Sequence, residues 1–276
     1  MLAWIGQDFG ALGIGTSRLD AELLVGNALG LSRVQLYLDL DRPLDASELA
    51  RIKALVVRRR KREPIAYITG QREFYRRSFE VSPAVLIPRP DTETLIERAL
   101  QLLPADSTAQ LLDLCTGSGA IAVTLAAERP GTRVVATDVS EQALEVARRN
   151  AERHRVSERV EFLRGDLFGA LPDGARFELI AANPPYIPEG DLAGLQPEIR
   201  EHEPQLALAS GSDGLDHLRR LASEAGQYLN PAGSVLFEVG QGQSEAVEEL
   251  LRAAGFAQTS AHRDLAGIAR VVEASR

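Results

Sequence analysis

Cysteine, histidine and aromatic residues are scarce in this sequence. Its 276 residues hold one cysteine, Cys115, which excludes an intramolecular disulfide and a cysteine-based zinc cluster. The four histidines are not paired at metal-ligand spacing, so we expect no metal site. An aromatic content of 5% argues against a stacking platform for single-stranded nucleic acid.

Long apolar runs and a basic net charge are missing as well. No run approaches the roughly 18 residues that a membrane span needs, and the first ten residues do not resemble an export signal. We therefore expect a cytoplasmic protein. The net charge is −8, whereas proteins that bind free nucleic acid usually carry a basic surface, so no direct nucleic-acid substrate is expected.

Positive charge is nevertheless concentrated in one segment. Between Arg51 and Arg77 there are ten lysines and arginines and two glutamates. A solvated helix face with arginines near the helix C-terminus accounts for this pattern. A docking surface for a negatively charged partner is the alternative explanation. The sequence leaves both explanations open.

The N-terminal part of the chain has a helical pattern. We predict a helical domain over residues 1–75, in which Asp45 or Ser47 caps a helix that Pro64 ends. The apolar positions of that helix are Leu49, Ile52, Leu55 and Val56, and they fall on one face.

Residues 76–90 are assigned to a hairpin or linker. Aromatic and β-branched residues around Gly70 predict the hairpin. Two prolines then force an extended approach to a helix that Asp91 or Thr92 caps.

Residues 91–276 alternate between strand and helix patterns. This alternation predicts an α/β domain with a Rossmann-like, mostly parallel sheet covered by helices on both faces. In such sheets the ligand lies at the carboxyl ends of the strands.

A glycine-rich loop follows the first strand of that sheet. Its residues, with the acid that precedes them, are Asp113, Cys115, Thr116, Gly117, Ser118 and Gly119. Glycines permit a tight turn and a close backbone approach to a ligand. Asp138 ends the next strand, where its carboxylate can accept hydrogen bonds from the ribose hydroxyls of an adenosine. The same spacing also satisfies the dinucleotide fingerprint.

Two details favour S-adenosylmethionine over NAD as the cofactor. Asp113 would repel a pyrophosphate in the loop, but it would attract a cationic methionine moiety. Asp166 and Phe168 follow the third strand, where the carboxylate can accept a hydrogen bond from an adenine amino group and the ring can pack on the adenine. We therefore predict a site for S-adenosylmethionine.

The tetrapeptide Asn183-Pro184-Pro185-Tyr186 follows the fourth strand. Two prolines stiffen the backbone and remove two N–H donors, so the carbonyls of Asn183 and Pro184 stay free to accept from a substrate. The Asn183 side chain is a further acceptor, and Tyr186 adds a flat surface. This arrangement suits a planar NH2 group, whose two hydrogens it would grip. We assign catalysis to Asn183, Pro184 and Tyr186, and substrate contacts to all four residues. Asn183 is also assigned to the cofactor site.

These motifs resemble those of the HemK or PrmC family, the protein-(glutamine-N5) methyltransferases of peptide chain release factors. The resemblance covers nearly the whole chain. It rests on the loop and the tetrapeptide, together with Pro88-Arg89-Pro90-Asp91-Thr92-Glu93, Glu203-Pro204, ALASGSDGLD and Arg263-Asp264-Leu-Ala-Gly267-Ile-Ala-Arg270. Cys115 departs from the pattern, because the family usually has glycine there.

The resemblance implies a class I S-adenosylmethionine-dependent methyltransferase with an antiparallel last strand. It implies that the substrate is the glutamine of the Gly-Gly-Gln motif of class-I release factors. It further implies that the helical domain helps to hold the release factor, and that Arg89 and Glu93 contribute to substrate binding. A monomer is expected.

Alternatives remain at this point. The same catalytic domain could methylate a glutamine of a ribosomal protein, or adenine N6 in DNA or RNA, for which the Arg51–Arg77 segment is the supporting feature. An NAD(P)-linked oxidoreductase leaves the tetrapeptide unexplained. A binding protein without activity is the fourth alternative.

Overall fold

The computed structural model describes residues 1–39 and 41–276. Its helices are α1 (Leu2–Ala11), α2 (Ser17–Leu29), α3 (Arg33–Leu38), α4 (Ala46–Arg60), α5 (Ile65–Thr69), α6 (Glu93–Leu102), α7 (Ala120–Glu128), α8 (Glu141–Arg153), α9 (Pro197–His202), α10 (Asp216–Ala225) and α11 (Ser244–Ala253). Its strands are β1 (Gln71–Phe74), β2 (Arg77–Glu80), β3 (Gln110–Leu114), β4 (Arg133–Asp138), β5 (Val160–Arg164), β6 (Phe177–Ala182), β7 (Leu229–Glu238), β8 (Gln258–Arg263) and β9 (Ala269–Ser275).

The chain forms two compact units. The helical unit consists of Met1–Gln71 and Gln196–His202. The sheet unit consists of Arg72–Leu195 and Glu203–Arg276. The chain therefore leaves the sheet unit after the Asn183 tetrapeptide, contributes α9 to the helical unit and returns at Glu203.

Capping residues define the helices of the helical unit. The Asp45 side chain accepts from the Glu48 backbone N–H and the Glu48 side chain accepts in return, which confirms Asp45 as the cap of α4. This helix ends at Arg60, earlier than Pro64 requires, and Arg62 has a φ of +65°. Ile52 and Val56 are buried on one face of α4, but Leu49 is exposed.

Several arginines of the basic segment are paired with acids of the helical unit. Arg59 is buried and contacts Asp20 and Glu198, each at 2.8 Å. Arg62 lies 2.8 Å from the other carboxylate oxygen of Glu198. Arg58 and Arg60 are also paired, with Glu63 and Asp8 respectively. The buried pair of Arg59 and Asp20 therefore stabilises the helical unit, and Arg58, Arg60 and Arg62 are paired within the same unit.

The hairpin turns at Tyr75 and Arg76, and not around Gly70 as predicted. Gly70 instead ends α5 in the left-handed conformation. Tyr75 and Arg76 have φ values of +46° and +59°, the two consecutive positive values that a tight two-residue hairpin needs. Glu93 holds this turn by accepting from the Tyr75 backbone N–H at 2.9 Å. The sequence misleads here because neither turn residue is glycine or asparagine.

Seven strands form the main sheet in the order β5-β4-β3-β6-β7-β9-β8. The pairs from β5 to β7 are parallel, and β9 is antiparallel to both β7 and β8. The predicted mostly parallel sheet with an antiparallel last strand is confirmed. The order reverses between β3 and β6, so the carboxyl ends of these two strands meet at the position where open α/β sheets bind ligands.

Helices cover the sheet on both faces and bury separate apolar cores. One core includes Leu95, Val123 and Leu111, and the other includes Leu112, Leu221 and Leu251. The expected side-chain cap of α6 is not formed, because a short 3-10 turn over Pro90–Thr92 precedes the helix. Within the described residues, no helix is both long and apolar enough to cross a membrane.

Candidate active site

A cavity lies at the carboxyl ends of the parallel strands of the sheet unit. Of the residues that we predicted for cofactor binding, its walls include Cys115, Thr116, Gly117, Ser118, Asp138, Asp166 and Asn183. Of those predicted for the substrate, they include Asn183 and Pro185. Thr92, Leu167 and His217 also line the cavity.

A buried acid, Asp113, holds the glycine-rich loop in place. Asp113 is fully buried, and its Oδ2 accepts from the Thr116 hydroxyl at 2.5 Å and from the Ala122 N–H at 3.1 Å. Its Oδ1 has no partner in the described part of the chain. Burial raises the pKa of Asp113 to about 7. Asp113 does not line the cavity. Its hydrogen bonds fix the conformation of the loop and of the start of α7.

Cys115 takes the conformation that favours glycine. Its φ is +59°, and those of Gly117 and Gly119 are +55° and +78°. Gly119 lies outside the cavity wall, where an added Cβ would meet Ala147 at 3.1 Å. Burial raises the pKa of the Cys115 thiol, which keeps it neutral.

Asp138 ends β4 and faces the cavity. Its Oδ2 accepts from the Gly117 N–H and its Oδ1 accepts from the Ser140 N–H, each at 2.9 Å. Burial raises the pKa of Asp138, while these backbone hydrogen bonds oppose the rise. Each oxygen keeps a lone pair for a further donor. The two amides fix the orientation of the carboxylate.

The segment after β5 differs from the prediction in its aromatic residue. Asp166 lies 2.9 Å from Arg220, and both side chains are largely exposed. The ring of Phe168 is buried and stacks on Tyr228, with 4.7 Å between the ring centroids. It is therefore not available to pack on an adenine. Leu167, with a φ of +49°, lines the cavity in its place.

The Asn183 tetrapeptide lies beside the loop, because β6 is the neighbour of β3. The carbonyl oxygens of Asn183 and Pro184 accept no hydrogen bond among the described residues. The Tyr186 carbonyl accepts from Gln243 Nε2 at 2.9 Å. A Cβ at Gly214 would lie 2.3 Å from that carbonyl oxygen, so only glycine permits this close approach.

A second set of contacts joins the tetrapeptide to the end of β7. Asn183 Nδ2 donates to Thr92 Oγ1 at 3.3 Å, and the Tyr186 hydroxyl lies 3.5 Å from Glu238 Oε1. Glu238 is buried, and burial raises its pKa to about 7. Burial also raises the pKa of Tyr186. Our sequence reasoning missed both Thr92 and Glu238 as site residues, although an acid at the carboxyl end of a central strand is a signal.

Arg89 and Glu93 do not line the cavity, and each has a partner elsewhere. Arg89 contacts the buried Glu203 at 2.5 Å, and Glu203 also accepts from the Ile87 N–H at 3.4 Å. Residues next to Arg89 and next to Glu203 in the sequence line the cavity. The ion pair therefore connects two segments of the cavity wall. Glu93 holds the hairpin turn. Pro184 and Tyr186 also lie outside the wall itself.

No metal centre accompanies these groups. Among residues 1–39 and 41–276, no cluster of three or more histidine, cysteine, aspartate or glutamate side chains is arranged to hold an ion.

Comparison with known proteins gives two family matches. Residues 1–70 match the PrmC N-terminal domain, and residues 92–195 match the methyltransferase small domain. The release factor glutamine methyltransferase of Geobacter sulfurreducens is 47% identical over 272 residues, which cover 99% of this chain and 94% of the relative. That of Burkholderia pseudomallei is 45% identical over 256 residues, which cover 91% and 90%.

Solved structures with lower identity share the fold. The hMettl16 catalytic domain in complex with MAT2A 3'UTR hairpin 1 has a TM-score of 0.59 at 15% identity, covering 83% of this chain and 80% of that one. The T. thermophilus 16S rRNA N2 G1207 methyltransferase has a TM-score of 0.56 at 20% identity, covering 75% and 49%. These two likenesses concern the fold alone. With high identity over nearly its whole length, this chain belongs to the release factor glutamine methyltransferase family.

Proposed function

We propose that this protein transfers a methyl group from S-adenosylmethionine to the side-chain amide nitrogen of the glutamine in the Gly-Gly-Gln motif of class-I peptide chain release factors. The observation that carries the proposal is the position of Asn183 at the cavity, beside a glycine-rich loop and Asp138. Family membership supports the choice of substrate. We also expect the protein to act as a monomer in the cytoplasm, where release factors work.

The donors and acceptors of the cavity suit S-adenosylmethionine. The two free lone pairs of Asp138 would accept from the ribose hydroxyls. Asp166 would accept from the adenine amino group, and Leu167 would provide the apolar contact that we had assigned to Phe168. The N–H groups at the start of α7 and the loop backbone would enclose the methionine part.

S-adenosylmethionine supplies an electrophilic methyl group when bound. The nitrogen of a glutamine amide is a poor nucleophile, because its lone pair is delocalised into the carbonyl. Asn183 Oδ1 and the carbonyl of Pro184 would accept from its two hydrogens and turn the lone pair toward the methyl group. These acceptors would also stabilise the positive charge that develops on the nitrogen as the N–C bond forms and the bond from the methyl carbon to the sulfonium sulfur breaks, with S-adenosylhomocysteine as the leaving group. The methylated nitrogen would then release one proton to solvent.

Orientation accounts for much of the expected rate. Pro184 and Pro185 stiffen the segment that carries the acceptors, so little freedom is lost when the amide binds. Tyr186 is held by Gln243 and lies against Glu238, which keeps its ring in one place beside the acceptors.

Parallel labelling tests the proposal. The protein is incubated with methyl-labelled S-adenosylmethionine and a purified class-I release factor, ribosomal proteins, or DNA and RNA. We expect label in the release factor alone, on the glutamine of its Gly-Gly-Gln motif by tandem mass spectrometry. A release factor with that glutamine replaced by alanine is the matched control. Label in a ribosomal protein or in adenine would replace the proposal with one of the alternatives.

A further inference from the structure

His217 lines the cavity but has no part in the proposed methyl transfer. It lies at the start of α10, and Asp166 and Leu167 belong to the same cavity wall. Its Nδ1 lies 2.7 Å from the Ser210 hydroxyl oxygen. Its Nε2 has no partner among residues 1–39 and 41–276. One ring nitrogen is therefore held by the protein, and the other is left for a ligand.

The hydrogen bonds of Ser210 decide which ring nitrogen carries the proton. Ser210 is buried, and its Oγ accepts from the His217 backbone N–H at 3.0 Å. In the described part of the chain, His217 Nδ1 is the one acceptor within reach of the Ser210 hydroxyl proton. If Nδ1 were protonated, this buried hydroxyl would be left with an unsatisfied donor, which is costly. We therefore place the proton of the neutral ring on Nε2.

The surroundings of His217 favour the neutral ring. Burial, followed by the positive charge of Arg220, lowers the pKa of His217, and the charges of Asp166 and Asp216 oppose this effect. A neutral imidazole with its proton on Nε2 offers the cavity an N–H donor and no acceptor.

An acceptor lies near this donor. His217 and Arg220 are three residues apart on α10, so they share one face of the helix. Arg220 donates to both carboxylate oxygens of Asp166, at 3.2 Å and 2.9 Å. Each of these oxygens keeps a lone pair for a further donor. The cavity wall thus combines the carboxylate of Asp166 with the N–H donor of His217.

Adenine carries the complementary pattern. Its exocyclic amino group donates, and the ring nitrogens on either side of that group, N1 and N7, accept. We propose that His217 Nε2–H donates to one of these two ring nitrogens while Asp166 accepts from the amino group, so that His217 helps to select the adenine of S-adenosylmethionine. This inference rests on the proposed binding of that cofactor.

Nuclear magnetic resonance tests the position of the proton. In protein labelled with ¹⁵N at histidine, long-range ¹H–¹⁵N spectra distinguish a protonated ring nitrogen from an unprotonated one. The His217 signals are assigned by their loss in His217→Phe. At neutral pH we expect a protonated Nε2 and an unprotonated Nδ1. A proton on Nδ1 would overturn the proposal, because Nε2 would then be an acceptor opposite a ring nitrogen that also accepts.

Calorimetric binding of deaza analogues tests the contact itself. S-adenosylhomocysteine, which carries the same adenine, is compared with its 1-deaza and 7-deaza analogues, in which a C–H group replaces N1 or N7. Wild-type protein should bind the analogue that lacks the contacted nitrogen about 3- to 10-fold more weakly, as expected for one neutral hydrogen bond. In His217→Phe this loss should shrink to less than about twofold, whereas the loss for the other analogue should stay the same.

Two further variants complete the comparison. His262→Phe is the matched control, because it makes the same replacement on β8, where His262 contacts Glu273 and does not line the cavity. It should leave all three affinities unchanged. His217→Gln keeps an N–H donor and should keep the dependence on the same ring nitrogen, so it carries the test if His217→Phe does not fold.

Each outcome bears on one statement. If the wild-type protein does not bind S-adenosylhomocysteine, the proposed function is refuted. If it binds, and both analogues show the same losses in the wild type and in folded His217→Phe, the contact of His217 is refuted while the proposed function stands. An equal reduction of both losses would also refute it, since it would show general damage to the cavity. A reduction for one analogue alone, with the proton on Nε2, supports the proposal.

Discussion

The helical unit and the sheet unit differ in how their buried acids are paired and in how much apolar surface they expose. Buried acids of the helical unit are paired with arginines, as Asp20 is with Arg59 and Glu22 is with Arg33. In the sheet unit Glu203 is likewise paired, with Arg89, but Asp113 and Glu238 are buried at or near strand ends with no arginine in contact. Charge pairing in the first unit therefore serves its own stability. The two unpaired acids of the second lie near the carboxyl ends of the parallel strands β3 and β7.

The same contrast is seen in the pKa values. Hydrogen bonds from Tyr37 and then from Arg33 and Arg18 hold the pKa of Glu22 below its ordinary value. Burial without a paired cation raises the pKa of both Asp113 and Glu238 to about 7. Buried acids with strongly raised pKa values cluster at functional sites in proteins, and these two lie near the carboxyl ends of β3 and β7.

Exposed apolar side chains are concentrated in the helical unit. Among the described residues, nine of the twelve large hydrophobic side chains that are exposed belong to the helical unit, including Trp4, Val34 and Leu38. Two of the three in the sheet unit, Val139 and Leu206, line the cavity. If the helical unit helps to hold a release factor, its apolar surface is better suited to this than its paired arginines.

Removing Arg59 should have the largest effect on stability. Arg59→Met removes the ion-pair partner of the buried Asp20 and one of the two partners of Glu198, which should destabilise the helical unit by about 3–5 kcal/mol. Denaturant unfolding and hydrogen exchange in α2 and α4 measure this. Arg60→Met is the control, because the Arg60–Asp8 pair is half-exposed at 3.3 Å and should contribute less than about 1 kcal/mol. Equal effects of the two variants would contradict the structural role of Arg59.

Asp138→Ala should weaken S-adenosylmethionine binding by about 1.5–3 kcal/mol, because it removes a charge-assisted acceptor for the ribose. Calorimetry on the folded variant measures the change. Asp166→Ala should cost less, since Asp166 is more exposed and already pairs with Arg220. Unchanged affinity in Asp138→Ala would show that the cofactor does not contact β4 as proposed.

Glu22 of the helical unit and Glu238 of the sheet unit should make stability depend on pH with opposite signs. The lowered pKa of Glu22 gives stability that is present above its ordinary value near 4.5 and lost as pH falls. The raised pKa of Glu238 gives stability that is present below about 4.5 and lost as pH rises through about 7.

Glu238→Gln removes the loss of stability that the ionisation of Glu238 causes as pH rises. Relative to the wild type, this variant should gain about 2 kcal/mol of stability between pH 5.5 and pH 8, as measured by denaturant unfolding of the sheet unit. A constant difference across this range would mean that Glu238 does not change its charge there.

Polar substitutions on the helical unit should have the smallest effect. Trp4→Ser with Leu38→Ser should raise KM for the release factor about fivefold, which corresponds to about 1 kcal/mol, and leave KM for S-adenosylmethionine unchanged. Leu265→Ser, in the exposed loop before β9, is the control. If KM for the release factor does not change, this part of the helical surface does not dock it.

Local sequence patterns were sufficient for the sheet and the loop. Strand-helix alternation predicted β3 to β9, and the glycines with Asp138 predicted the loop that forms. The same patterns could not predict contacts between residues far apart in the chain. Arg89 looks available in the sequence, but its partner Glu203 is 114 residues away.

The direction in which a side chain points could not be predicted from the sequence either. Phe168 follows Asp166 by two residues, but the positive φ of Leu167 and the stacking on Tyr228 turn its ring into the core. The contact between Thr92 and Asn183 joins residues 91 positions apart. Such contacts depend on how helices pack on the sheet, which periodicity does not reveal.

The rate of methyl transfer by Asn183 variants tests the central claim most directly. We would measure single-turnover methylation of release factor at saturating S-adenosylmethionine and release factor. Asn183→Ala should lower the rate by about 10²–10³-fold, because it removes an acceptor from a preorganised site. Asn183→Asp should fall between this variant and the wild type, since it keeps an acceptor oxygen. Wild-type rates in a folded Asn183→Ala protein would contradict the account.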